Sequence, residues 1–114
     1  MFLLNKTQNT LLADQVEMAD TLFPRCIGLL GRPSLSKSNA LILKPCRSIH
    51  MFFMRFAIDV VFVDKNDRVV GLVEEIKPFR MSAYFSKASY AIELPAGTIA
   101  RTRTQLGDQI FQQE

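Results

Sequence analysis

The sequence predicts an α+β fold that is mainly antiparallel β, a compact curled sheet or barrel-like arrangement with one or two short helices. Six or seven short apolar segments are separated by turn-forming residues. Most of the connections between them are short enough for hairpins, and long crossovers are rare. The firmest segment, Ile58 to Val63, is dominated by β-branched residues and has apolar side chains on both faces. We therefore expect it to be a buried interior strand.

One short helix is predicted near the start of the chain, over Leu22 to Leu30. Asp20 or Thr21 offers a side-chain oxygen to its first turn, and Pro24 suits that turn because its missing N–H would be unpaired there. Gly31 can end the helix in the left-handed conformation. The proline- and serine-rich residues that follow are interpreted as a loop.

The strands are predicted from apolar segments bounded by turn residues. Lys65, Asn66 and Asp67 supply turn chemistry, so residues 58–76 are expected to form an antiparallel hairpin. A helical turn is expected at Thr98 to Thr104, and residues 79–87 are interpreted as a loop. The predicted strands are Phe2–Lys6, Leu11–Val16, Ala40–Lys44, Ile58–Val63, Val69–Ile76, Tyr90–Leu94 and Gln109–Gln112.

Length and composition indicate one globular domain over residues 1–114, because 48% of the residues are hydrophobic and 22% are charged. The net charge of +3 is mild and the basic residues are scattered, so we expect no nucleic-acid partner. No apolar run approaches the ~20 residues of a membrane span. The first ten residues turn polar too early for a secretory signal. We expect a cytoplasmic monomer, with Cys26 and Cys46 as thiols; a disulfide is the alternative for an exported form.

Candidate functional residues concentrate between Cys46 and Asp64, which include the chain's one histidine, His50. Asp59 lies on a strand face that is predicted to be buried, so its carboxylate needs hydrogen bonds or a charged partner. Glu93, in another apolar strand, has the same requirement. Two interpretations of Asp59 remain open: it accepts main-chain N–H bonds as a structural anchor, or it lines a polar pocket.

Three kinds of chemistry can be drawn from these residues. Cys46, His50 and Asp59 supply the residue types of a thiol nucleophile, its base and an orienting acid. Both cysteines with the same histidine and aspartate could bind zinc, although the closely spaced ligand pairs of zinc motifs are absent. Met51 and Met54 beside the histidine would suit Cu(I), but methionines among phenylalanines are more typical of an apolar pocket wall.

The chain resembles the DUF192 family, also called UPF0127, which comprises small bacterial and archaeal proteins without an established activity. The resemblance covers nearly the whole chain and depends on four stretches in order. They are RCIGLLGR at Arg25–Arg32, CRSIHMFFMRFAIDVVFVD at Cys46–Asp64, the hairpin ending at Pro78, and AIELPAGTIARTRTQLGD at Ala91–Asp108.

The resemblance implies a compact, mainly β fold with short helices, and it implies no reaction. The chain departs from the family pattern at Met51, where a small residue such as threonine is usual, and at Ala57, where proline is frequent. The first departure would narrow the candidate pocket or make it more apolar. The positions that the resemblance emphasises are Arg25, Gly28, Leu29, His50, Met54, Asp59, Glu93 and Gly97.

Our functional prediction is a non-catalytic binding domain that accepts a small ligand or a segment of another protein, without a cofactor or a metal. An alternative is a small hydrolase or thiol-dependent enzyme that uses Cys46, His50 and Asp59. A further alternative is an accessory protein that acts through an interface around Phe79, Met81, Tyr84 and Phe85. The predicted ligand-binding residues are Arg25, His50, Met54, Asp59 and Glu93.

Overall fold

This computed structural model describes residues 1–19, 38–51 and 55–114. These residues contain eight strands and one short helix. The elements are β1 Phe2–Asn5, β2 Thr10–Ala13, β3 Gln15–Ala19, β4 Asn39–Leu43, β5 Ile58–Val63, β6 Val69–Ile76, β7 Tyr90–Pro95, α1 Thr98–Thr102 and β8 Ile110–Gln113. The strands form a five-stranded sheet in the order β3-β4-β7-β5-β6 and a three-stranded sheet in the order β2-β1-β8. Apart from the parallel pair β3–β4, neighbouring strands in the described ranges are antiparallel, which confirms the predicted β-rich α+β class.

β5 is an interior strand, and each of its six residues is buried, as its β-branched sequence predicts. It pairs with β6 as an antiparallel hairpin, which is also confirmed. One oxygen of Asp64 accepts the main-chain N–H groups of Asn66 and Arg68 at 2.9 and 3.0 Å and closes the turn between the two strands. Tyr90 on β7 donates its hydroxyl to Asp67 at 2.7 Å and ties the same turn to the sheet.

The strand predicted over Leu11–Val16 is divided in the structure at Asp14. The main-chain N–H groups of Asp14 and Gln15 both donate to the carbonyl oxygen of Ser38, at 3.0 and 3.1 Å. β2 therefore stays in the smaller sheet, while β3 pairs in parallel with β4. The described strands thus form two separate sheets, and they do not close into the single curled or barrel-like sheet that we expected.

The helical turn predicted over Thr98–Thr104 is present as α1, which ends at Arg103 in the left-handed conformation, with φ of 57°. The helix predicted over Leu22–Leu30 lies outside the described residues. Within the described ranges, the structure has no helix with the length and hydrophobicity needed to cross a membrane.

The central strands β5 and β7 of the five-stranded sheet are buried on both faces, which explains why they read as nearly continuous apolar runs. One face packs against the smaller sheet and α1, through side chains such as Val61, Ile92 and Leu12. The opposite face packs against described residues of 46–51, Phe56 and residues 76–88, through side chains such as Val60, Phe62 and Met51. We call these the inner face and the loop-covered face of the sheet.

A buried polar network holds the smaller sheet to the segment that precedes β8. The Asn5 amide donates to the Thr104 hydroxyl at 3.0 Å and to the Asp108 carboxylate at 2.9 Å. The same Asp108 oxygen accepts the Gln8 side chain at 3.1 Å and the Gln105 main-chain N–H at 2.9 Å. Burial alone would raise the pKa of Asp108, but these hydrogen bonds together hold that pKa below its usual value.

The folded-state pKa of Asp108 is lower than its value in the unfolded chain, so the carboxylate stabilises the fold above the unfolded pKa of about 4. We expect Asp108→Asn to lower the free energy of unfolding at neutral pH. The difference from wild type should shrink as the pH falls through the folded-state pKa, because wild-type Asp108 is then protonated. Urea unfolding at pH 7 and below pH 4 measures this. Thr104→Val is the control, because it removes an uncharged hydroxyl from the same network and should lower the free energy of unfolding equally at both pH values. A loss for Asp108→Asn that is also independent of pH would contradict the stabilising role of the ionised Asp108 carboxylate.

Candidate functional site

The structure describes three of the five predicted ligand-binding residues. Arg25 and Met54 lie outside the described residues. Asp59 is fully buried and Glu93 is 6% exposed, whereas His50 lies at the surface. Two of the three described residues are therefore buried in the sheet and one is exposed.

Asp59 stabilises an irregularity in the hairpin that contains it. Between the paired residues Ile58–Ile76 and Val60–Val73, β6 has one residue more than β5, so it forms a bulge. Glu75 in this bulge has a φ of 50°, which is unusual for a residue with a side chain. Its N–H donates to Oδ1 of Asp59 at 2.8 Å. The carboxylate thus replaces a main-chain acceptor that the bulge takes away.

The second oxygen of Asp59 binds the N-terminus of α1. Oδ2 accepts the N–H of Gly97, the N-cap residue, at 3.1 Å and that of Ile99 at 2.8 Å. Gly97 has no side chain to cap the helix and has a φ of 95°, so the cap comes from the neighbouring strand. A negative charge also interacts favourably with the helix dipole there. This geometry corresponds to the structural interpretation of Asp59, in which it accepts main-chain N–H bonds.

Asp59 and Glu93 point to opposite faces of the five-stranded sheet. In the β5–β7 pair, Asp59 is opposite Leu94, which belongs to the inner-face cluster. Glu93 is opposite Val60, which belongs to the loop-covered face. Side chains directly opposite each other in an antiparallel pair share a face. The two acids are therefore not brought together in one cavity, and Glu93 lies on the side that the segment around His50 covers.

His50 lies in a segment that pairs irregularly with the residues after β6. His50 and Met81 form an isolated antiparallel bridge. Ser82 donates its N–H to the carbonyl oxygen of Ile49, and Met51 donates its N–H to that of Arg80, both at 2.8 Å. The N–H of Ile49 donates to the Ser82 hydroxyl at 2.9 Å. Residues 47–51 and 79–85 thus hold each other in place by main-chain bonds, although neither is a regular strand.

The catalytic and metal-binding alternatives can be compared with the structure only in part, because Cys26 and Met54 lie outside the described residues. The hydrogen-bond partners of Asp59 are the three main-chain N–H groups described above, so its carboxylate does not orient His50. Cys46 is half-buried, and its Sγ lies 3.2 Å from the carbonyl oxygen of Ser48. In the described ranges, no group of three or more histidine, cysteine or acidic side chains could hold a metal ion. Met51 is fully buried in the core of the loop-covered face, as a packing residue would be.

Three large apolar side chains on the second of the paired segments are exposed to solvent. Phe79 is 69% exposed, Met81 66% and Tyr84 64%. Phe85, from the same predicted interface, instead points inward, where its ring stacks on that of Phe62 with centroids 4.4 Å apart. We call the exposed side chains of residues 47–50 and 77–87 the paired-loop surface.

Arg47 supports the paired-loop surface in a way that the sequence did not reveal. Its Nε donates to the carbonyl oxygen of Ala88 at 3.2 Å, and its guanidinium donates to the Tyr84 hydroxyl at 3.3 Å. The main-chain N–H of Phe85 donates to the carbonyl oxygen of Arg47 at 2.8 Å. Arg47 therefore fixes the position of an exposed tyrosine. Its sequence neighbourhood gives no signal of this, because the partners are far away along the chain.

Comparisons with known proteins agree on the family and the fold. The profile of the DUF192 family, described as uncharacterized ACR, matches residues 3–111. A UPF0127 protein from Thermococcus sibiricus is 38% identical over 112 residues, which are 95% of this chain and 72% of that protein. A UPF0127 protein from Pyrococcus horikoshii is 35% identical over 111 residues, covering 95% of this chain and 96% of that protein. The crystal structure of a protein of unknown function from Novosphingobium aromaticivorans has a TM-score of 0.82 at 20% identity, covers 97% of this chain and 83% of its own, and supports the fold alone.

We expect Asp59→Asn to lower the free energy of unfolding by about 2–4 kcal/mol, because an amide leaves one of the buried N–H groups without an acceptor and removes the charge. Urea unfolding measures this cost. Asp64→Asn is the matched control, since Asp64 also accepts main-chain N–H groups but lies in a half-buried turn. Its cost should stay below about 1 kcal/mol. Equal costs for the two variants would contradict the anchoring role of Asp59.

Gly71 leaves space for the ring that anchors the second paired segment. A Cβ at Gly71 would lie 2.5 Å from ring atoms of Phe85, so Gly71→Ala must displace that ring. We expect a loss of about 1–3 kcal/mol in the free energy of unfolding. In the Phe85→Ala background the same glycine substitution should cost much less, because the clashing ring is absent. Additive costs in this double-mutant cycle, measured by urea unfolding, would show that the contact does not matter.

Proposed function

Because the chain belongs to the DUF192 family, whose members compared above carry no named activity, we propose a function from its own geometry. The domain is a non-catalytic binding module that holds a segment of another protein on the paired-loop surface. The exposure of Phe79, Met81 and Tyr84 is the observation that carries this proposal. Each of these side chains buries apolar area when a partner covers it.

The order of the main chain beneath these side chains supports a binding role. The two segments are joined by main-chain bonds of 2.8 Å, and Phe85 anchors the second segment in the core. Arg47 holds the ring of Tyr84 from the first segment. A surface that is fixed before binding loses less conformational entropy when a partner arrives. Aromatic side chains and methionine are also typical of protein interfaces.

The same geometry favours the paired-loop surface over a ligand pocket around Asp59. Both oxygens of Asp59 accept main-chain N–H groups, and the side chain is fully buried. A ligand that bound this carboxylate would have to replace bonds that hold β6 and α1. His50 belongs to the paired-loop surface instead, through its bridge to Met81. We therefore assign His50 to partner contact and Asp59 to the fold that supports it.

Photo-crosslinking in the cells that naturally produce the protein tests this proposal. The photoreactive residue p-benzoylphenylalanine replaces Phe79 or Tyr84 in two separate variants. We expect each variant to form discrete adducts with the same partner protein, identified by mass spectrometry. Phe111, which is 44% exposed on the smaller sheet, is the matched control position. Absence of adducts at Phe79 and Tyr84, or the same adducts at Phe111, would refute the proposal.

A further inference from the structure

The outer main-chain edge of the second segment is open for pairing at Met81. The bonds from Ser82 to Ile49 and from Met51 to Arg80 bracket the bridge between His50 and Met81. In an antiparallel pair of this kind, the N–H and C=O of the bracketed residue point away from the paired segment. In residues 1–19, 38–51 and 55–114, no group forms a hydrogen bond with the main chain of Met81. An extended chain could therefore pair with this edge, as a strand added to a sheet does.

A small cavity lined in part by residues 84–87, which follow Met81 in the chain, is suited to a side chain of the incoming segment. Its volume is about 240 Å³, which is sufficient for one large apolar side chain. Tyr84 and Phe85 contribute rings to its wall, and a lysine stands at its rim. The lining residues are Val70, Tyr84, Phe85, Ser86 and Lys87. Strand addition combined with side-chain pockets is a recurring mode of peptide recognition, in which main-chain bonds give affinity and pockets give specificity.

The paired segments and the residues that flank them contain basic side chains and no acidic ones. Residues 44–57 and 77–92 contain no aspartate or glutamate, in a chain that has 11 of them. Lys77, Arg80 and Lys87 are exposed, and none of them forms an ion pair with another residue that the structure describes. Opposite charge on a partner would be attracted to this surface and would fix its register. The cations of the two segments are Lys44, Arg47, Arg55, Lys77, Arg80 and Lys87.

We infer that the partner is an extended acidic protein segment, which pairs with the main chain of Met81 and places apolar side chains against Met81 and Tyr84. This inference rests on the proposed function and names the chemistry of its partner. The open N–H and C=O of Met81 favour a polypeptide over a nucleic acid or an anionic membrane, because the main chain of an extended polypeptide can pair with both groups. The basic side chains then contact acids that flank the apolar positions.

Fluorescence anisotropy with synthetic probes tests the chemistry. The first probe is a short peptide that alternates glutamate with leucine and phenylalanine, and its matched controls carry glutamine for glutamate or N-methylated amides. We expect the acidic peptide to bind about tenfold more tightly than either control, because one control lacks the charges and the other lacks the N–H donors. Equal binding of the glutamine peptide, or of the N-methylated peptide, would overturn the inference.

Charge-reversal variants of the protein provide a second test in the same anisotropy experiment. Lys77→Glu with Arg80→Glu should weaken binding of the acidic peptide about tenfold, and the difference should fall at high salt. Lys65→Glu with Arg103→Glu is the matched control, since both residues are exposed cations away from the paired segments. Unchanged affinity in the first double variant would refute the role of charge. Equal or tighter binding of single-stranded oligo(dT), or of phosphatidylcholine–phosphatidylserine vesicles, would assign the surface to those classes instead.

Failure of this inference can be told apart from failure of the proposed function. Adducts at Phe79 and Tyr84 that form equally well with and without the Lys77→Glu, Arg80→Glu substitutions would show that the surface binds a protein. They would also show that acidic residues of this partner do not contribute to its recognition. If the adducts do not form at all, both proposals fall. Adducts that disappear in this variant and persist in the Lys65→Glu, Arg103→Glu control support both.

Discussion

The carboxylate of Asp59 is the constraint on which the larger sheet depends. A buried charge is costly, and here three main-chain N–H groups compensate for it. These groups belong to the bulge at Glu75 and to the start of α1 at Gly97. Both are irregular parts of the main chain, and without the carboxylate their N–H donors would be unpaired. The acid and the two irregularities therefore require one another. This mutual requirement explains why an acidic side chain lies in β5, a strand whose six residues are all buried.

The two faces of the five-stranded sheet have different roles. The inner face is covered by regular structure, since the smaller sheet and α1 pack on it and a buried polar network joins their loops. The loop-covered face is closed by segments that pair through a few main-chain bonds and leave several large side chains in solvent. Regular packing on one side gives the sheet its rigidity. The irregular segments on the other side can then present recognition groups on a firm base.

The sequence predicted those features that depend on neighbouring residues. The hairpin of β5 and β6 follows from a β-branched run and an adjacent turn, and both were found. The burial of Asp59 was also predictable, but its partners were not, because they are main-chain groups 16, 38 and 40 residues away. The tether of Arg47 spans 37 and 41 residues and left no local pattern either. Likewise, the parallel pairing of β3 with β4 is a choice between distant strands that apolar periodicity does not encode.

The pairing of β1 with β8 has a consequence for how the protein is made. Phe2 lies opposite Gln113, so this ladder joins the first and the last of the described strands. β8 is synthesised after the other described strands, and until it emerges β1 and β2 lack one of the three strands of their sheet. Such widely separated contacts slow folding, and they leave the apolar side chains of Leu3 and Leu12 without their final cover in the nascent chain. β1, the first described strand to be synthesised, is thus among the last to reach its native surroundings.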